Sequence, residues 1–154
     1  MAILLATMLA AGIGSQRALG SPDKAAAFLA MIEGAWSGRA EITPVGARPY
    51  DMVLARTERG QIEGTADPGR SLHTWTFFAQ EGRLRLSFLT TFGGNRDPIQ
   101  FHPAQWTGDL VSFSAVRPDY LEVKVRPDGN RLDIDIFLRG RLHVSIRLKH
   151  VSAL

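Results

Sequence analysis

The chain has no cysteine. That excludes a disulfide scaffold, a zinc–thiolate site, an iron–sulfur cluster and thiol catalysis. Histidine is scarce, and His73, His102, His143 and His150 include no pair at a metal-ligand spacing such as H-x-H or H-x-x-x-H. No G-x-S-x-G element or P-loop is present, and no carboxylate pair is set close together by the sequence. Charge of one sign is also lacking. Lys and Arg number 18 against 15 Asp and Glu, and the late basic positions alternate with Glu122, Asp133 and Asp135. A nucleic-acid-binding stripe needs one sign concentrated, so no nucleic-acid partner is expected. The longest apolar run, residues 2–14, is too short to span a bilayer, so no integral membrane span is expected in the mature chain. An apolar content of 45% excludes intrinsic disorder, and 154 residues suffice for one domain with its own core.

What is present begins with that apolar run. AILLATMLAAGIG has the length of a signal-peptide core, and Ala18-Leu19-Gly20 offers small residues where a signal peptidase reads them. No Lys or Arg precedes the run, and a packed or frayed N-terminal helix is the alternative. The reading is a signal peptide over 1–20, a periplasmic or secreted protein, and one domain over 21–154. Residues 21–34 read as a helix. Ser21 is a suitable N-cap, Pro22 fits the first helical position, Asp23 suits the positive end of the dipole, and Gly34 can close the helix. Ala25, Phe28, Leu29 and Ile32 fall on one face.

From residue 35 onward the helical period disappears and alternation takes over. Residues 131–136, 141–149, 120–126 and 83–88 each bury one side and wet the other. Turn chemistry separates them at Pro127-Asp128-Gly129-Asn130, Arg139-Gly140, Glu81-Gly82, Thr107-Gly108-Asp109 and Arg59-Gly60. The pattern predicts about ten strands, near 35–44, 49–58, 61–66, 71–79, 83–91, 98–103, 110–116, 119–126, 131–138 and 141–150. The fold class is therefore all-β, an antiparallel meander preceded by one short helix. Closing it into a barrel, first strand against last, removes the two unpaired edges.

Glu33-Gly34-Ala35-Trp36-Ser37-Gly38 stands where the helix gives way to the first strand. A G-x-W at that place resembles the opening signature of the lipocalin and calycin barrels. The wider stretch from Leu29 to Gly38 is similar to nitrobindin-like and other bacterial lipocalin-like domains. The resemblance implies a barrel with an interior ligand site. It also implies that Trp36 closes one barrel end and that a basic side chain of the last strand, Arg147 or Lys149, lies across its ring. Nitrobindin-like barrels bind haem through one His. His143 alternates with Leu142 and Val144, opposite the apolar face, so no cofactor is expected here.

The ligand-binding candidates are His73, Trp75, Phe77, Phe88, Arg96, Phe113 and Tyr120, with Trp36 and Arg147 at the barrel closure. His73, Trp75 and Phe77 share a face, and Phe88 and Phe113 point inward by alternation. Arg96 follows Gly93-Gly94-Asn95 in the least strand-like loop of the β region, where it could donate to a carboxylate or phosphate. Asp67-Pro68-Gly69-Arg70 is a second such loop, expected at the opposite barrel end. The expected partner is a small hydrophobic or amphipathic molecule or a lipid. The alternatives are a barrel enzyme of isomerase or hydrolase type, using His73 or Tyr120 as acid or base, and a filled-core structural module.

Overall fold

Residues 18–152 are described by a computed structural model of the chain. The apolar run at 2–14 lies outside them, as does most of the expected signal peptide. Helix α1 (Pro22–Ile32) is built as its sequence dictates. Ser21 Oγ accepts from the Lys24 N–H at 3.3 Å, Pro22 opens the first turn, and Ala25, Phe28, Leu29 and Ile32 are its buried residues. The helix ends straight into a strand. Glu33 is extended, and Gly34 takes a φ of +147°. That φ strains any residue with a side chain, which would also have to displace the exposed His150 ring 2.5 Å away.

The described residues hold twelve strands in one antiparallel sheet, β1 before the helix and the rest after it: β1 (Ala18–Leu19), β2 (Gly34–Ile42), β3 (Gly46–Arg56), β4 (Ile62–Ala66), β5 (His73–Gln80), β6 (Arg83–Thr90), β7 (Ile99–Gln100), β8 (Gln105–Thr107), β9 (Leu110–Ser114), β10 (Leu121–Asp128), β11 (Arg131–Leu138) and β12 (Arg141–His150). Their spatial order is β1-β8-β9-β10-β11-β12-β2-β3-β4-β5-β6-β7. The last strand does pair with the strand that carries Trp36, in register from Val144↔Ile42 to His150↔Trp36.

Two expectations need correction. Among the described residues the strands number twelve rather than ten, because two short ones, β1 and β8, pair with each other through Ala18↔Trp106 and Leu19↔Gln105. The sheet also curls into a half-barrel without closing. Its two border strands, β1 and β7, do not pair with each other. The expected strand at 98–103 shrinks to two residues, bracketed by Pro98 and Pro103, which have no N–H to give a ladder. Isolated hydrogen bonds cross there instead. Phe101 N–H donates to Leu86 O at 3.2 Å and Ala104 N–H to Leu84 O at 2.8 Å on one side, while His102 N–H donates to Ser114 O at 2.9 Å on the other.

The inner face of the sheet buries the core, and α1 plugs one end. Phe28 packs 5.7 Å from Phe77 and edge-on to Trp106 at 6.0 Å. The Trp36 indole N–H donates to Ile32 O at 2.8 Å, which pins the helix end to β2. The hairpin tips Glu81-Gly82 and Arg139-Gly140 have positive φ at both residues, the two-residue geometry that matches strand twist.

Candidate functional site

At the end away from α1 the half-barrel holds an apolar recess of about 440 Å3. Four connections ring it, β2–β3, β4–β5, β6–β7 and β9–β10, together with the adjoining ends of β11 and β12 at Leu138 and His143. Phe88, Ile136 and Val144 are among its wall residues, and all three are nearly fully buried. Pro68 and Arg70 stand at the same mouth as Thr90 and Phe92. The two loops expected at opposite ends therefore share one end. Two reversals, at the β4–β5 connection and the Glu81-Gly82 turn, return the chain to the side it left.

The polar feature of the recess is a hydrogen-bonded series rooted in the core. Trp75 Nε1–H donates to Tyr50 Oη at 2.8 Å, Tyr50 Oη lies 3.1 Å from His73 Nδ1, and His73 Nε2 lies 3.3 Å from Ser71 Oγ. Tyr50 is fully buried, so its own hydroxyl proton needs an acceptor. It already accepts from Trp75, an indole that only donates. We therefore assign the Tyr50 O–H to His73 Nδ1, which leaves the ring proton on Nε2, facing Ser71. Burial pushes the His73 imidazole down to about 4, so it is neutral at pH 7. Burial likewise raises the Tyr50 phenol, partly offset by the Trp75 hydrogen bond.

His73 and Phe88 line the recess, and half-exposed Tyr120 stands at its rim with the Arg139 guanidinium 4.9 Å from its ring centroid. Trp75, Phe77 and Phe113 are buried beneath the recess. Trp75 stacks 4.1 Å from Phe88 and 6.3 Å from Phe77, which lies 6.1 Å from Phe113. These three rings fill the core under the recess and do not line it. Arg96 is exposed on its loop, away from the recess walls.

At the helix end, Trp36 is buried as expected, but its neighbour is different. The His150 ring meets Trp36 edge-on at 5.2 Å. Arg147 points to the outer face, where it donates to Asp135 at 2.8 Å and lies 3.9 Å from Asp133. The Asp135 hydrogen bond is the main reason its guanidinium is raised further. Alternation explains the difference. Trp36 and Arg147 stand on opposite sheet faces, and His150 is the residue registered with Trp36.

His143 also moves. Ile136 pairs with Val144 and Phe137 with Leu142, so His143 is the extra residue of a β-bulge. It is half-buried at the recess rim rather than in open solvent. Tyr50 was missed at the sequence level, although it stands in phase with inward Met52 and Leu54 on β3.

Both His73 ring nitrogens are engaged, by Tyr50 and Ser71, so binding a haem iron would break this series. Neither partner is a carboxylate, the group that would stabilise a catalytic imidazolium. Among the described residues, no group of three or more His, Asp or Glu could hold a metal ion, and no helix is long and apolar enough to cross a membrane. Comparison with protein-family models, curated proteins and solved structures finds no match.

Proposed function

We propose that the chain is a lipocalin-like binding protein that carries a small hydrophobic or amphipathic molecule in the recess opposite α1. In this reading the crossing hydrogen bonds around Phe101 serve as a working closure of the barrel, and the apolar leader routes the chain to the periplasm or outside the cell. The observation that carries the reading is the recess. At about 440 Å3 it lies in the range of sites for drug-sized ligands, and its walls are mostly apolar. The aromatic packing of Trp75, Phe77 and Phe113 gives it a floor, so the ligand sits at the open end and not along the barrel axis. Apolar area removed from water supplies the affinity, on the order of 25 cal/mol per Å2 before ordering costs.

N-phenyl-1-naphthylamine, a neutral apolar fluorophore, tests this. Its emission should rise on addition of protein and saturate at one probe per chain. Thr90→Trp and Thr43→Trp each place an indole at the recess wall and should abolish the rise while circular dichroism stays unchanged. No rise with the unaltered chain, or full binding to both tryptophan variants, would overturn the reading.

A further inference from the structure

We propose that the recess selects amphiphiles whose polar end is an acceptor-only anion, a carboxylate above all, and rejects those ending in an ammonium group. This rests on the reading of the recess as a ligand site. The selection follows from its polar groups. The ionisable residues of the wall are Arg70, His73, Tyr120 and His143, and none of the lining residues is Asp or Glu. The series from Trp75 through Tyr50 fixes the Nε2–H of His73 on Ser71 Oγ, so the Ser71 hydroxyl accepts from the ring and keeps its own O–H to donate into the recess it lines. Arg70 adds a guanidinium at the mouth, and Arg139 stacked on Tyr120 adds a second positive charge beside the rim.

The acids that adjoin the lining residues in the chain are not themselves part of the wall. Asp67 turns back to accept from the Gly69 N–H at 2.8 Å, Asp97 and Asp119 are exposed, and Glu41 faces a smaller neighbouring depression. An ammonium head in the recess would lose its water, find no carboxylate among the lining residues and sit near like charge. A carboxylate there would gain charge-assisted hydrogen bonds, roughly twice as strong as neutral ones, and Arg geometry suits it. An alcohol falls between the two.

Equilibrium titration with dodecanoate, dodecanol and dodecylammonium, each kept monomeric at pH 7, tests the assignment. The three share one apolar chain and differ in the head group. Dodecanoate should bind about tenfold tighter than dodecanol, and dodecylammonium weakest. Arg70→Ala should weaken dodecanoate about tenfold and dodecanol much less. Arg96→Ala, on the exposed loop outside the recess, should leave the order unchanged. Dodecylammonium binding as tightly as dodecanoate, or an Arg70→Ala loss equal for all three heads, overturns this proposal while leaving the ligand site standing. If N-phenyl-1-naphthylamine and all three chains fail to bind, the ligand-site reading fails with it.

Discussion

His73 is neutral because a charged imidazole in that place would be stripped of water with no anion beside it. Its protons set the sign of a pH effect. An unfolded histidine titrates near 6.5, whereas the folded one is pushed down to about 4, so below pH 6.5 the unfolded chain binds more protons. The stability that the neutral ring contributes is present above 6.5 and drains away as pH falls toward 4. Between pH 7 and 5 the loss from this residue should be on the order of 2 kcal/mol. Urea midpoints of the unaltered chain and of His73→Gln at both values measure it. An equal acid-induced loss in the two proteins would contradict the assignment. Tyr50→Phe probes the same series from the other side. It leaves the Trp75 indole N–H and His73 Nδ1 buried without their partner, a cost of about 2–4 kcal/mol for two groups. A change below 1 kcal/mol in urea unfolding would mean that water or another group replaces the hydroxyl. The sequence carried the face of Tyr50 but not its partners. Alternation sorts inward from outward, while Tyr50 on β3 reaches His73 and Trp75 on β5 across the intervening β4, a register no local pattern holds.

At the scale of elements, strongly alternating segments announced themselves. The strands expected at 131–138 and 141–150 coincide with β11 and β12, and the N-terminal cap of α1 was legible from Ser21, Pro22 and Asp23, whereas Gly34, expected to close the helix, opens β2 instead. What escaped were departures from alternation. The bulge that carries His143 inserts one residue and reverses its side, and β8 is three residues long, too short to show a period. The pairing of β2 with β12 rests on a close approach that can be tested directly. A Cβ at Gly38 would stand 2.0 Å from the Arg147 carbonyl oxygen, a backbone atom that cannot turn aside. Gly38→Ala should therefore force the two strands apart and cost about 2–3 kcal/mol. Arg147→Ala, which removes the half-exposed ion pairs to Asp135 and Asp133 on the outer face, should cost less, about 1 kcal/mol. Thermal unfolding of the two variants gives the comparison, and equal losses would show that the close approach relaxes freely.

For the molecule as a whole, the open question of physics is how firmly the two sheet borders hold together. Amides of β11 and β12 have ladder neighbours on both sides, so they should exchange with solvent only when the whole chain unfolds. Those of Phe101, His102 and Ala104 rest on isolated hydrogen bonds and can open locally. In native-state hydrogen exchange these three should exchange at least tenfold faster than the amides of β11. Equal protection would show that the borders close as firmly as a ladder, and the half-barrel would then behave as a full one. The seam also touches the proposed function. Ile99, at its start, lines the recess. A molecule held against Ile99 and Phe88 would brace β7 against β6, through the Phe88↔Ile99 pair, so saturating dodecanoate should slow exchange at Phe101 more than at Ile134. Uniform slowing across the sheet would instead mean that the ligand stabilises the fold without gripping the seam.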